Sequence, residues 1–249
     1  MKKKKKNIPR RENKMMKIKK SKLKTFLDKI KLSGEDELLE VIFNFNDDGL
    51  KIDAVCNIKT SMVNGLLKKE AFDEYEAFGE IGIMNLATAI RVMDTFSEDL
   101  NISVEGNLLI IKEKSRKVEI EYADPAVIPK VDVNVNLEFD EEFKINVDKI
   151  NSFIDKATGV NKDLNICLVT SENKLTIKNT KGAYKFTEEI DIEGITKEVN
   201  VEFGSSLRNV VANLNGEVQV CMKTDTPIKI IDDTEDSHIE LITSPMTDN

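Results

Sequence analysis

Tryptophan is absent from this chain of 249 residues and aromatic residues make up only 6% of it, so stacking on single-stranded bases is not an expected mode of action. There is one histidine, His238, and there are three cysteines, Cys56, Cys167 and Cys221, far apart and with no Cys-x-x-Cys spacing. No zinc site is expected from that set. The cysteines fall in apolar strand-like runs and read as reduced core thiols of a cytosolic-type compartment. No run of about 18 apolar residues exists to span a membrane. Nor does an apolar stretch follow the basic N-terminus to make a signal peptide.

Catalytic constellations are equally lacking. Gly79-Glu80-Ile81-Gly82 has neither the following Lys-Ser/Thr nor the glycine spacing of a phosphate-binding loop. The acidic pairs Asp47-Asp48, Asp232-Asp233 and Glu235-Asp236 stand at expected turns, where solvated carboxylates are ordinary. His238 has no serine or cysteine nucleophile motif near it. No catalytic residue, metal or cofactor is expected, and the chain reads as a non-enzyme.

What is present begins with charge. The chain is 40% hydrophobic and 33% charged, with a net charge of −8, enough to bury the core of two ordinary domains or one large one beneath a heavily charged surface. Residues 1–14 hold eight basic groups against Glu12, a net +7, which leaves −15 on the remainder. The Lys-rich tail has no periodicity and is expected to be disordered. A DNA-touching arm, a nuclear localisation signal, a plain solvated tail, and a true start at Met15 or Met16 all fit it.

The body repeats. Four segments carry apolar residues at helical spacing: Leu23-Phe26-Leu27-Ile30, Leu86-Ile90-Met93, Ile150-Phe153-Ile154-Ala157 and Leu207-Val210-Val211-Leu214. Their first residues lie 63, 64 and 57 positions apart. Asn85, Asp148 and Ser205 or Ser206 stand where an N-cap accepts free backbone N–H groups. After each stripe come alternating apolar residues around a turn, as in Val41-Phe43-Phe45, Asp47-Asp48-Gly49 and Leu50-Ile52-Ala54. Such alternation predicts antiparallel hairpins with one face buried. A third strand follows each hairpin and another leads into the next helix. The fold class is therefore α+β, with four β-α-β-β-β units making two similar domains, 15–122 and 139–249, joined by an extended connector, 123–138.

Ordered matches along residues 15–246 are similar to one known family. They are Asp48-Gly49-Leu50 running to Ile58-Lys59-Thr60-Ser61-Met62-Val63, then Met84-Asn85-Leu86 with Ile90-Arg91-Val92. The closing stretch is Asp225-Thr226-Pro227-Ile228 and His238-Ile239-Glu240-Leu241-Ile242-Thr243-Ser244-Pro245. Together with the fourfold repeat, these resemble the DNA sliding clamps of the proliferating-cell-nuclear-antigen type. The resemblance implies a homotrimeric ring with sheets outside and helices lining a hole. Such a ring encircles duplex DNA without reading its sequence, holds a polymerase to it, is opened by a loader, and serves replication and repair enzymes inside the cell, in cytoplasm, nucleoid or nucleus. Two other readings stay open: a subunit of a hetero-oligomeric, checkpoint-type ring, and an enzyme using the turn carboxylates.

Three sets of residues are implied by the resemblance. Lys20, Lys24, Lys31, Arg91, Lys149, Lys156 and Arg208 would face DNA, with a summed, sequence-blind attraction to phosphates. Asp94 and Asp155 dilute it on the second and third helices. Val55, Thr60, Met62, Val133, Val135, Leu137, Pro227, Ile242, Pro245 and Met246 would line an outer groove for a partner peptide. Lys59 stands where many clamps have a histidine, and Leu241-Ile242 where aromatics are common. Arg116, Val118, Ile120 and Tyr122 on one edge, and Ala183, Lys185 and Thr187 on the other, would join neighbouring subunits along Arg116–Tyr122 and Ala183–Ile190.

Overall fold

The computed structural model describes residues 15–131, 135–161 and 164–246. Its first half runs β1 (Met15–Lys19), α1 (Lys20–Ile30), β2 (Val41–Asn46), β3 (Gly49–Val55), β4 (Ser61–Lys68), β5 (Phe72–Glu74), β6 (Gly79–Ile83), α2 (Leu86–Asp94), β7 (Asp99–Glu105), β8 (Leu108–Glu113) and β9 (Arg116–Glu121). The second runs β10 (Glu141–Asn146), α3 (Val147–Thr158), β11 (Ile166–Ser171), β12 (Lys174–Asn179), β13 (Thr187–Asp191), β14 (Val199–Phe203), α4 (Ser205–Val211), β15 (Glu217–Met222), β16 (Ile228–Asp233) and β17 (Ser237–Thr243). The expected unit of strand, helix and three strands occurs four times, with β5 the one addition. The fold is α+β and its strands pair antiparallel throughout the described ladders.

Local chemistry explains the element ends. The Asn85 side chain accepts from the Thr88 N–H and starts α2. At α3 the cap is Asn146, not Asp148. Strand β10 passes directly into the helix, so its last residue does the capping and Asp148 lies inside the first turn, beside the positive end of the helix dipole. At α4 neither serine caps. Gly204 takes the N-cap position without a side-chain bond, and Leu214 lies beyond the helix end. Glu172 and Asn173, at φ 41° and 63°, make the two-residue turn between β11 and β12 whose twist suits a hairpin. Gly49 sits at φ 138°, and a Cβ there would stand 2.1 Å from the Leu67 carbonyl oxygen, so only glycine lets β3 and β4 approach.

The strands form three sheets, ordered β5-β1-β7-β8-β9, β13-β12-β11-β14 and β10-β15-β16-β17-β4-β3-β2-β6. The third unites the halves, since β17 pairs with β4 over seven residue pairs from Ser237↔Leu67 to Thr243↔Ser61. Its inner face carries Ile239 and Leu241, both fully buried. Gly65 lets α1 approach that face, because a Cβ there would lie 3.1 Å from Ile30 and 3.2 Å from Phe26. Helix α1 packs beside α2, α3 beside α4, and α4 against the Gly34–Asp36 turn that follows α1. One buried apolar cluster runs through both halves.

Two polar contacts also tie the halves together. Lys29 of α1 is buried with Asp232 of β16, Nζ to Oδ2 at 2.5 Å, with side-chain exposures of 8% and 3%. The ammonium lies off the hydrogen-bonding direction of that oxygen, which has no other donor, so the contact is an ion pair. Asp36, buried, accepts from Asn209 Nδ2 of α4 at 2.7 Å, from Cys56 Sγ at 3.2 Å and from the Thr60 hydroxyl.

Candidate nucleic-acid and partner interfaces

The helix layer holds the expected basic residues, but they are not equivalent. On α1, Lys24 Nζ donates to Asp28 at 2.6 Å and lies 3.6 Å from Asp94 of α2, while Lys31 Nζ lies 3.5 Å from Asp28. The hydrogen bond to Asp28 raises the Lys24 pKa against the opposing effect of burial. Lys20 is turned to the Phe96 carbonyl, 2.8 Å away. The helix richest in lysine is thus substantially neutralised where it stands. Lys156 lies 3.6 Å from Glu188. Arg91 donates to the Thr88 hydroxyl at 2.9 Å. Among the described residues, Arg91, Lys149 and Arg208 are exposed and in no ion pair.

The opposite face of the eight-stranded sheet carries a second constellation. Register places Val55 opposite Met62, Met62 opposite Ile242, and Ile242 opposite Lys229. These residues point away from the helices, because Ile239 and Leu241 alternate inward. The described ends of the connector lie on this outer face. The connector is fastened at one end by reciprocal bonds between Gly82 and Ala123, and a Cβ on Gly82 would come within 2.9 Å of the Ala123 oxygen. Lys130 then pairs with Glu80 at 2.9 Å, and Val131 lies by Ile42, Lys51 and Asp53. At its far end Phe139 receives Lys229 Nζ 5.6 Å from its ring centroid.

The expected groove residues are brought together in part. Val55, Met62 and Ile242 form one cross-strand row. Pro227 and Pro245, half-buried, flank the end of the β16–β17 ladder where Ile228 faces Thr243. Thr60 turns its hydroxyl inward to Asp36. Met246 is held by its backbone N–H on the Glu202 carbonyl of β14, 2.8 Å away, with its side chain beside Gly204. Leu137 is half-buried while Val135 is 45% exposed, so the alternation along the connector is only partly used for packing. Val133 lies outside the described residues, as does the basic tail 1–14.

Strands β9 and β13 are each the last strand of their sheet. On β9, Val118 and Ile120 are half-buried against the core, Arg116 is exposed, and Tyr122 follows the strand with its hydroxyl donating to the Gly106 carbonyl at 2.7 Å. The second edge is shorter than expected. Ala183 and Lys185 precede the strand, which begins at Thr187. Asn179, buried, is the cause. Its Nδ2 donates to the carbonyls of Lys181 and Tyr184, both at 2.8 Å, and its Oδ1 accepts from the Phe186 N–H at 2.5 Å, folding that stretch into a loop.

Sequence reasoning missed Lys29–Asp232, because a lysine inside an apolar helix face is normally read as reaching out to water. It also missed the Asp36 cluster, whose partners come from two distant segments, the loop holding Cys56 and Thr60 and the helix holding Asn209. Among the described residues no group of three or more His, Cys, Asp or Glu side chains is placed to hold a metal. No described helix is long and apolar enough to cross a membrane.

No protein-family model and no curated protein matches the sequence. Solved structures do match. The PCNA of A. fulgidus, bound to the C-terminal region of FEN-1, superposes with a TM-score of 0.81 at 17% identity, covering 95% of this chain and 99% of that one. The PCNA of Entamoeba histolytica gives 0.80 at 18% identity, covering 94% and 99%. The PCNA2–PCNA3 complex of Sulfolobus tokodaii gives 0.76 at 17%, covering 93% and 98%. Over nearly its whole length, this chain has the fold of the PCNA sliding clamps.

Proposed function

We propose that the protein is a sliding clamp. Copies of it, most simply three, close into a ring around duplex DNA, and the ring holds a DNA polymerase and other replication or repair enzymes to their template inside the cell. The observation that carries this reading is the pair of unsatisfied sheet edges, β9 in the first half and β13 in the second, alongside a helix layer that presents exposed cations. An open edge invites another strand. Edges on the two halves of one chain, when joined head to tail, generate a ring if the rotation closes. DNA would then pass the helices, and partner peptides would anchor on the Val55–Met62–Ile242 row beneath the connector. The role needs no catalytic group.

A second reading, a subunit of a mixed ring, is favoured by one comparison, the PCNA2–PCNA3 complex. Two measurements separate them. Native mass of the purified protein at working concentration gives three copies for a homotrimer and one or two for a subunit awaiting unlike partners. A processivity assay on primed circular DNA with a clamp loader then tests the role. Absence of stimulation from an assembled ring would refute it.

A further inference from the structure

The internal repeat gives β10 in the second half the place that β1 holds in the first, since each leads straight into a helix. The outer edge of β1 is closed by β5, with Lys17 opposite Glu74. Strand β10 is the end strand of its sheet and pairs only with β15 among the described ladders. The stretch that would close it is held elsewhere. The Ile192 N–H donates to the Asn173 carbonyl at 2.8 Å, the Gly194 N–H to Asn173 Oδ1 at 3.0 Å, and the Asn173 N–H to the Ile195 carbonyl at 3.3 Å. Glu141 Oε1 takes the N–H groups of Thr196, 3.0 Å away, and Lys197. A groove of about 650 Å3 is left along β10, with residues 190–193 as its far wall.

The Val147 N–H donates to the Gly216 carbonyl at 2.9 Å. By the alternation of an antiparallel pair, Ile145 and Phe143 also turn their N–H groups to β15, while Glu142 and Lys144 turn theirs to the groove. An unpaired edge accepts a strand, and the rim selects its charge. Lys144 is paired with Glu217 at 3.3 Å, whereas Asp191 and Glu193 are exposed and in no ion pair among the described residues. The chain carries a segment of opposite sign outside the described residues, the tail 1–14, with a net charge of +7. Pro9 has no N–H for a ladder, but residues 2–7, five lysines and an asparagine, match the six residues of β10. At about 3.3 Å per residue the middle of that run reaches about 35 Å from Met15, further than the roughly 30 Å across a small domain. We propose that the chain's own tail adds to β10 as an edge strand, its ammonium groups facing Glu142, Asp191 and Glu193. The tail then closes the second half as β5 closes the first, and its charge is held against the body instead of being offered to DNA. This inference does not depend on the ring.

The test is residue-resolved hydrogen exchange on the full-length protein and on a variant lacking residues 1–14. The Glu142 and Lys144 amides are expected to exchange at least about tenfold faster without the tail. Phe143 and Ile145, turned to β15, are expected to keep their rates in both proteins and so report an intact fold. A synthetic peptide of residues 1–14, added in excess to the shortened protein, is expected to restore the slow rates. Equal rates at Glu142 and Lys144 with and without the tail overturn the proposal. Protection that survives the deletion and grows with protein concentration marks a second copy in the groove, which overturns it too. If the deletion also speeds Phe143, the full-length chain carrying Lys2→Glu through Lys6→Glu decides, because it leaves residues 15–249 unaltered. That variant must show fast Glu142 and Lys144 amides beside a slow Phe143, and wild-type rates in it overturn the proposal.

Discussion

Removing one partner of the Lys29–Asp232 pair tests whether the two halves are fused by buried charge. The contact is 2.5 Å and both side chains are nearly sealed. At an effective dielectric constant near 20, unit charges at that distance attract by about 7 kcal/mol gross. Desolvating each ion costs several kcal/mol, so the pair contributes little net stability while leaving either ion alone is expensive. Asp232→Ala strands an ammonium between α1 and β16 and is expected to cost about 3–5 kcal/mol, as is Lys29→Ala. Lys29→Met with Asp232→Leu, which replaces the pair by apolar groups of similar volume, is expected to be neutral or stabilising by about 1–4 kcal/mol. Urea unfolding followed by circular dichroism reads the midpoint and slope of each variant and closes the double-mutant cycle. A destabilisation below about 1 kcal/mol in both single variants, the range of exposed pairs, would show that water reaches the contact and would refute the reasoning.

Further outcomes follow from the same geometry. Val118→Pro removes a ladder donor on the β9 edge and is expected to lower the native mass to that of a single chain; an unchanged mass would contradict the joint. Val55→Lys with Met62→Lys places charge on the outer row and is expected to weaken a polymerase-derived peptide at least tenfold, about 1.4 kcal/mol, with native mass unchanged. Burial pushes the Cys221 thiol up to about 11, so at pH 8 only about one thiol in a thousand is thiolate. Alkylation of the native protein is therefore expected to be slow and to accelerate as pH rises toward that value; rapid labelling at pH 8 would show an open site.

Much of the fold was legible because each periodicity reports a face. Leu86-Ile90-Met93 and Val41-Phe43-Phe45 say which side of their elements is buried, and Asn85 and Asn173 carry the side-chain chemistry of a cap and a turn. What periodicity does not report is the partner. Alternation along β17 fits pairing with β16 alone as well as with β4, so the continuous sheet across the halves was not foreseen. Nor was the neutralisation of α1, since Asp94 lies 70 positions from Lys24 and meets it only after α1 packs on α2. The expected edge also overshot at Ala183 and Lys185, where one buried amide, Asn179, competes with the ladder for the backbone groups. The groove residues were found as a set by resemblance, and the structure separates those aligned by register from Thr60 and Met246, which bond elsewhere.

The contrast between the two kinds of joint bears on how a ring of this chain would open. Within a subunit the halves share seven paired residues of β4 and β17, the Lys29–Asp232 contact, the Asp36–Asn209 bond and a continuous apolar cluster. Between subunits, β13 offers five residues and β9 six, with Val118 and Ile120 already half-covered by their own sheet. Pulling the halves apart would strand buried charges and polar groups, each costing several kcal/mol. Parting β9 from β13 exposes backbone groups that water satisfies and a few apolar side chains. A loader acting on such a ring would therefore open it between subunits, while the eight-stranded sheet moves as one body. The connector would then not feel the opening. It is fastened to Gly82 and Glu80 at one end and contacts Lys229 at the other, all within that sheet, so a partner peptide docked there could stay bound while the ring is parted.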